Sequence, residues 1–133
     1  MQFNLNDDVR FILKQLNKNG TGFLVGGALR DLTLGNDPED YDFATDIEYK
    51  KLKNIFKEYN PKEIGTHFGI IMININGKEY EIAKFRQESG IYNSRYPKSI
   101  KFVNNINIDL KRRDFTMNSL AYNEEVGLID LFG

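Results

Sequence analysis

An α/β fold is predicted by three features of the sequence. Helix-spaced apolar residues open the chain, with Val9, Ile12, Leu13 and Leu16 on one stripe. Short apolar or β-branched runs then alternate with further helical segments, as at Phe23-Leu24-Val25 and Phe68 to Ile75. Between the latter run and Lys78 to Arg86 stands Asn76-Gly77, a strong signal for a two-residue hairpin.

Each element follows from local chemistry. Asn6 precedes Asp7 and Asp8 as an N-cap, and Asn19-Gly20 ends the first helix. Phe23-Leu24-Val25 reads as a buried strand, and Gly26-Gly27 turns it into a short helix carrying Arg30 and Asp31 that ends near Gly35. Residues 40–44 form a second strand after the acidic loop around Pro38. Leu52, Ile55, Phe56 and Tyr59 mark the next helical face, stopped by Asn60-Pro61. The hairpin places Glu79 and Glu81 on its return strand, both on one face. Residues 87–99 read as an exposed loop, Ile100 to Val103 as a short strand, and Ile108 to Leu120 as a helix. Leu120 to Tyr122 starts a strand, and Val126 to Leu131 forms the last one. No repeat or linker divides the 133 residues, which fit one domain spanning 1–133.

Composition narrows the chemistry. There is no cysteine and a single histidine, His67, so disulfides, thiolate metal sites and histidine clusters are excluded. A metal held here would meet oxygen donors, which suits magnesium or manganese. No apolar run is long enough to span a bilayer and Met1-Gln2-Phe3 begins no signal pattern, so a cytoplasmic protein with no membrane partner is expected. The formal net charge is −1 and the clearest basic cluster is Lys111-Arg112-Arg113, so most of the grip on any nucleic acid would have to come from elsewhere.

Two segments carry the chemical signal. Gly26-Gly27, between a buried strand and a helix, lets the backbone approach a phosphate, and Arg30 one turn later offers a forked contact to phosphate oxygens. Asp40 and Asp42 alternate with Tyr41 and Phe43, so a strand sends two carboxylates one way and two aromatics the other. Two residues advance about 6.6 Å along a strand, which lets both side chains reach a pair of divalent cations about 3.5–4 Å apart. Glycines in such turns are often purely structural, and Asp-x-Asp is often a solvated strand end. Their succession is what points to nucleotidyl transfer, which needs both a triphosphate cradle and a metal clamp.

Further candidates follow. Glu81, between Tyr80 and Ile82 in a half-buried strand, is a third carboxylate able to bind metal or accept a proton, with Glu79 as its rival on the same face. Arg113 suits a phosphate, and Asp114 and Asn118, four apart on a helical face, suit a ribose. That segment also reads as an amphipathic helix with a charged first turn. His67 reads as a structural histidine, because the chemistry runs on metals and carboxylates.

Taken in order, these segments resemble the head domain of class II tRNA nucleotidyltransferases and bacterial poly(A) polymerases, within the polymerase β superfamily. The resemblance rests on Leu24 to Asp31, Asp40-x-Asp42, Gly65 to Gly69, Tyr80-Glu81-Ile82 with Phe85-Arg86, Arg95-Tyr96-Pro97, Asp109-Leu110 with Arg112 to Asn118, and Ile129 to Gly133. It implies a mixed sheet of about five strands with helices on one side. It further implies that Asp40 and Asp42, joined by Glu81, hold magnesium in a two-metal site, and that Gly26, Gly27, Arg30, Arg113, Asp114 and Asn118 contact the nucleotide. Residues 87–99 match a loop that in the family organises successive additions, and Asn93-Ser94 and Ser119 depart from the usual pattern.

The implied activity is metal-dependent transfer of nucleotides from CTP and ATP to the 3′ hydroxyl of tRNA. CCA addition, the commoner activity in the family, is expected, with poly(A) addition as the alternative. Family members continue into helical neck, body and tail regions, and the neck carries a Glu-Asp-x-x-Arg signature that reads the base. This sequence contains no such signature, so an excised or minimal head is expected. The rival is a nucleotide-binding module that acts only with a helical partner chain. Apolar residues from Leu128 to Phe132, where the neck would pack, suggest self-association.

Overall fold

A computed structural model describes residues 3–64, 69–89, 99–102, 105–111 and 120–130. Helix α1 (Asp7–Asn19) starts where the Asn6 side chain accepts a hydrogen bond from the Val9 amide at 2.9 Å, and it buries Val9, Ile12, Leu13 and Leu16. Burying each such side chain is worth about 1.5–3 kcal/mol gross, much of it offset by the entropy of ordering the chain.

Strand β1 (Gly22–Val25) is buried throughout, and α2 (Gly27–Thr33) follows without a loop. Then come β2 (Asp42–Thr45), α3 (Tyr49–Ile55), a single 3₁₀ turn Lys57–Tyr59, and β3 (Lys62–Ile64). Strands β4 (Ile70–Ile75) and β5 (Lys78–Lys84) form the expected hairpin. Its turn residues Asn76 and Gly77 both have positive φ, 54° and 84°, the conformation a two-residue primed turn requires. Strands β6 (Arg86–Ser89) and β7 (Ser99–Phe102), helix α4 (Ile106–Lys111), and strands β8 (Leu120–Asn123) and β9 (Gly127–Asp130) complete the described chain.

The main sheet has seven strands in the order β3-β4-β5-β2-β1-β8-β9, and β6 and β7 form a separate two-stranded sheet. Five strands were expected. One addition is β3, three edge residues with no apolar alternation to betray them. The segment 87–89, read as loop, is strand because it pairs with β7 across the intervening residues, Gln87 opposite Lys101 and Ser89 opposite Ser99. The helix expected over 108–120 begins at Ile106 and is described to Lys111, whereas Leu120 already belongs to β8. Every described pairing in the main sheet is antiparallel except β2 with β5.

Alternation along the strands sorts the core into two layers. Leu24, Phe43, Ile71, Ile73, Tyr80, Ile82 and Tyr122 face α1, α2 and α3 in the larger cluster. The residues between them, Phe23, Val25, Ala44 and Ala121, point to the opposite face and meet Phe85 and Leu110 of α4. Three helices therefore cover one face as expected, and short α4 adds to the other. Leu128 and Ile129 pack partly against these two clusters and are not an open apolar surface; Leu131 and Phe132 lie outside the described residues. No helix among the described residues is long and apolar enough to cross a membrane.

Side-chain amides tie α1 to the sheet. Asn17 accepts from the Gly22 amide at 3.1 Å and donates to the Gly22 carbonyl at 3.2 Å, while Asn123 of β8 donates to the same carbonyl at 2.9 Å. Gly22 is needed for this approach, because an added Cβ would stand 2.6 Å from Leu16 Cδ1 and closer still to Leu16 Cβ. Gly22→Ala is expected to lower unfolding stability by about 1–3 kcal/mol through overpacking, measured by urea denaturation. Adding Leu16→Ala removes Cγ and Cδ1 but keeps Cβ, so the double change should cost less than the sum of the two single changes, and strict additivity would mean that Cγ and Cδ1 take no part in the clash.

Candidate active site

The parallel pairing of β2 and β5 decides which carboxylates meet. Its register sets Asp42 opposite Glu81, Phe43 opposite Ile82 and Ala44 opposite Ala83. Beneath the carboxylates, Tyr41 and Phe43 are buried and stand 6.2 and 6.3 Å from the Tyr80 ring. Those aromatics hold the alternation in place, so Asp42 is exposed on the face away from α1–α3 and Glu81 is half-buried beside it. Tyr80 is fixed in turn by a 3.1 Å hydrogen bond from its hydroxyl to Asp8 of α1.

Glu81 has a pKa raised above the ordinary carboxylate value. Burial is the largest cause, followed by the negative charge of Asp42 and a side-chain hydrogen bond with Asp42, then by the charges of Asp40 and Glu79. Two carboxyl groups held side by side make it costly to charge both, and a cation between them would relieve that cost. Glu79 stands two residues earlier on β5, opposite Asn74 of β4, and does not pair with β2. Asp40 lies outside β2, which begins at Asp42, so no ladder hydrogen bond sets its position. Among the described residues no group of three His, Asp or Glu side chains is assembled to hold a metal ion. Asp42 and Glu81 thus meet in advance, and Asp40 acts on Glu81 through its charge. The oxygen-only donor set fits magnesium in kind.

The glycine turn borders the same place. Gly26 adopts φ 77° and ψ −149°, a region open essentially to glycine alone, and a Cβ there would lie 3.8 Å from Asp42 Oδ2. Gly27 follows with open space around its Cα. Beside it is a cleft of about 470 Å³ whose described lining is Gly27, Ala28, Asp31, Asn36, Asp37, Glu39, Asp40 and Asp42. The structure therefore brings Gly27, Asp40 and Asp42 to one cleft, with Gly26 and Glu81 alongside. Arg30 is exposed on α2 and does not line it. Asp31, Asn36, Asp37 and Glu39 line it without having been singled out as site residues; the sequence signal was the acidic character of the loop before β2 for the last three and, for Asp31, its place in the Leu24 to Asp31 segment. Arg113, Asp114, Asn118 and His67 lie outside the described residues.

Comparison with known proteins bears directly on this arrangement. The model of the Poly A polymerase head domain matches residues 22–133. The chain belongs to this head-domain family. The CCA-adding enzyme of Bacillus licheniformis is 38% identical over 125 residues, which is 92% of this chain and 30% of the relative. That of Lactobacillus johnsonii is 40% identical over 122 residues, 91% of this chain and 30% of the relative. The chain thus spans about 30% of the length of these relatives. Among solved structures, the Bacillus stearothermophilus CCA-adding enzyme in complex with CTP superposes with a TM-score of 0.79 at 36% identity, over 94% of this chain and 29% of that one. A tRNA nucleotidyltransferase complexed with a primer tRNA and an incoming ATP analogue gives 0.64 at 28% identity, over 94% and 34% of the two chains.

A carboxyl whose pKa rises on folding binds more protons in the folded chain. Its contribution favours the fold below the unfolded pKa and is lost as pH rises through the folded one. In chelator, Glu81→Gln should therefore raise the melting temperature more at about pH 7 than at about pH 4, the latter lying near the unfolded carboxylate value. Thermal melts at both pH values check this, and an equal gain at both would rule out the raised pKa.

Proposed function

We propose that residues 1–133 form a single catalytic head domain that transfers nucleotides from CTP and ATP to the 3′ end of tRNA, as in CCA addition. The observation that carries this reading is the register setting Asp42 beside Glu81 next to the Gly26-Gly27 turn. It is supported by membership of the head-domain family and by the likeness to enzymes named for CCA addition, one of them in complex with CTP. CCA addition is preferred to poly(A) addition because the relatives compared above carry that name.

In this reading Asp42 and Glu81 hold magnesium, joined by Asp40 when substrate brings the loop before β2 into place. When bound, the metal would lower the pKa of the RNA 3′ hydroxyl and neutralise charge on the triphosphate. The residues of the chain supply position. Gly26 turns the backbone so that no side chain intrudes beside Asp42, and Gly27 leaves room for phosphate oxygens. The 3′ hydroxyl releases its proton to water, its oxygen bonds to the α-phosphorus, the bond from that phosphorus to the oxygen bridging to the β-phosphate breaks, and pyrophosphate departs. Arg30, exposed on α2, and Arg113 are assigned to phosphate, and Asp114 and Asn118 to the sugar.

Asp42→Ala is expected to reduce extension of tRNA lacking its 3′ end by at least about 10³-fold, the scale on which charge-stabilising groups act, with the fold intact by circular dichroism. The assay supplies magnesium and each labelled NTP separately. Turnover at the unsubstituted rate would remove Asp42 from the mechanism. Binding of NTP without any extension, restored by a helical partner fragment, would assign the chain the role of a nucleotide-binding module.

A further inference from the structure

Tyr41 stands between two carboxylates of the cleft, and its own side chain is buried on the other face of the sheet with Phe43 and Tyr80. Residues 36–41 form neither helix nor strand, and within them only Pro38 and Tyr41 are buried. Asp40, outside the β2 ladder, therefore takes its place from the residue that follows it into the core. Burial, and then the charge of the cleft residue Asp37, raise the pKa of the Tyr41 hydroxyl, so the ring also borders the acidic loop.

The β4-β5 hairpin supplies a firm support on that buried face. In its tight turn the Gly77 amide donates to Asn74 Oδ1 at 3.0 Å, and the Asn76 side chain donates to Asp8 of α1 at 3.3 Å. Lys78 comes next, half-buried and opposite Ile75 of β4. Alternation along β5 puts it on the face of Tyr80 and Ile82, away from Glu79 and Glu81. Its ammonium lies 5.2 Å from the centroid of the Tyr41 ring and 5.9 Å from that of Tyr80. Among the described residues no carboxylate comes within ion-pair distance of Lys78, so its charge is met by the two rings. Such a contact is stronger when desolvated, and Tyr41 is only 6% exposed. Lys78 does not itself line the cleft.

We propose that Lys78 is a positioning residue for nucleotidyl transfer: by holding the Tyr41 ring against the hairpin it fixes Asp40 relative to Asp42 on the cleft side. This rests on the reading of Asp40 and Asp42 as metal ligands. The chain of contact is short, because Tyr41 is bonded to both aspartates and Lys78 touches Tyr41.

The test is manganese binding to the protein, followed by the electron paramagnetic resonance of the free ion, together with steady-state extension of tRNA lacking its 3′ end. Lys78→Met keeps most of the stem and removes the charge. It should weaken manganese binding by about three- to tenfold, the scale of one cation–π contact, and lower kcat with little change in KM for CTP. The sign is diagnostic: through Coulomb repulsion alone, loss of a cation would strengthen binding of the metal. Lys78→Arg, which keeps a cation over the ring, should restore both quantities to within about twofold. With Tyr41→Leu already present, Lys78→Met should add nothing further. Unchanged or tighter manganese binding by folded Lys78→Met would overturn the proposal. So would failure of Lys78→Arg to restore it, or a full effect of Lys78→Met in the Tyr41→Leu background. Manganese binding and extension that are both indifferent to Asp42→Ala would overturn the metal-ligand reading and this inference with it, whereas loss on Asp42→Ala with indifference to Lys78→Met would overturn this inference alone.

Discussion

The parallel contact of β2 with β5 governs the arrangement of everything near the cleft. It is the one parallel pairing described in an otherwise antiparallel sheet, and it joins segments nearly forty residues apart in sequence. A one-residue slip would turn Asp42 and Glu81 to opposite faces and drive Phe43 out of the core. The penalty for that slip comes from the aromatic layer beneath, where Tyr41, Phe43 and Tyr80 are almost wholly buried. Hydrophobic burial thus sustains what electrostatics opposes, two carboxyl groups held side by side with a raised Glu81 pKa.

The rest of the fold braces this contact. Asp8 of α1 holds the Tyr80 hydroxyl, so the first helix reaches the underside of the carboxylate strand. Asn17 and Asn123 fasten both neighbours of β1 to the Gly22 backbone. At the same end of β1, Thr45 donates to the Thr21 carbonyl and Asp46 accepts from the Thr21 amide, which secures β1 against β2. With β1 set, Val25 stands opposite Asp42, and the Gly26 turn that follows comes within reach of the carboxylate.

Much of this was legible from residue types and spacing. The α1 stripe, the Asn6 cap, the Asn76-Gly77 hairpin and the opposed faces of Tyr41-Phe43 and Asp40-Asp42 are local features whose periods show directly in sequence. Illegible were the elements that exist through partners. Edge strand β3 has no apolar pattern, and β6 is a strand only because β7 pairs with it. The choice between Glu79 and Glu81 was open for the same reason, since both share a face of β5 and only the register against β2 separates them. Asp37 and Glu39 read as an ordinary acidic loop, and Asp31 as one residue of a short helix, until the cleft gathered them.

By itself the sequence determined the α/β class, the oxygen-only chemistry of any metal site and the motifs that mark a nucleotidyltransferase head, because these depend on composition and on short-range periodicity. The tertiary structure alone decided that the sheet has seven strands, that Asp42 meets Glu81, and that Asp31, Asp37, Glu39, Asp40 and Asp42 line one cleft. Those outcomes depend on which distant segments pair and in what register, and that is set by burial of the whole aromatic and aliphatic core.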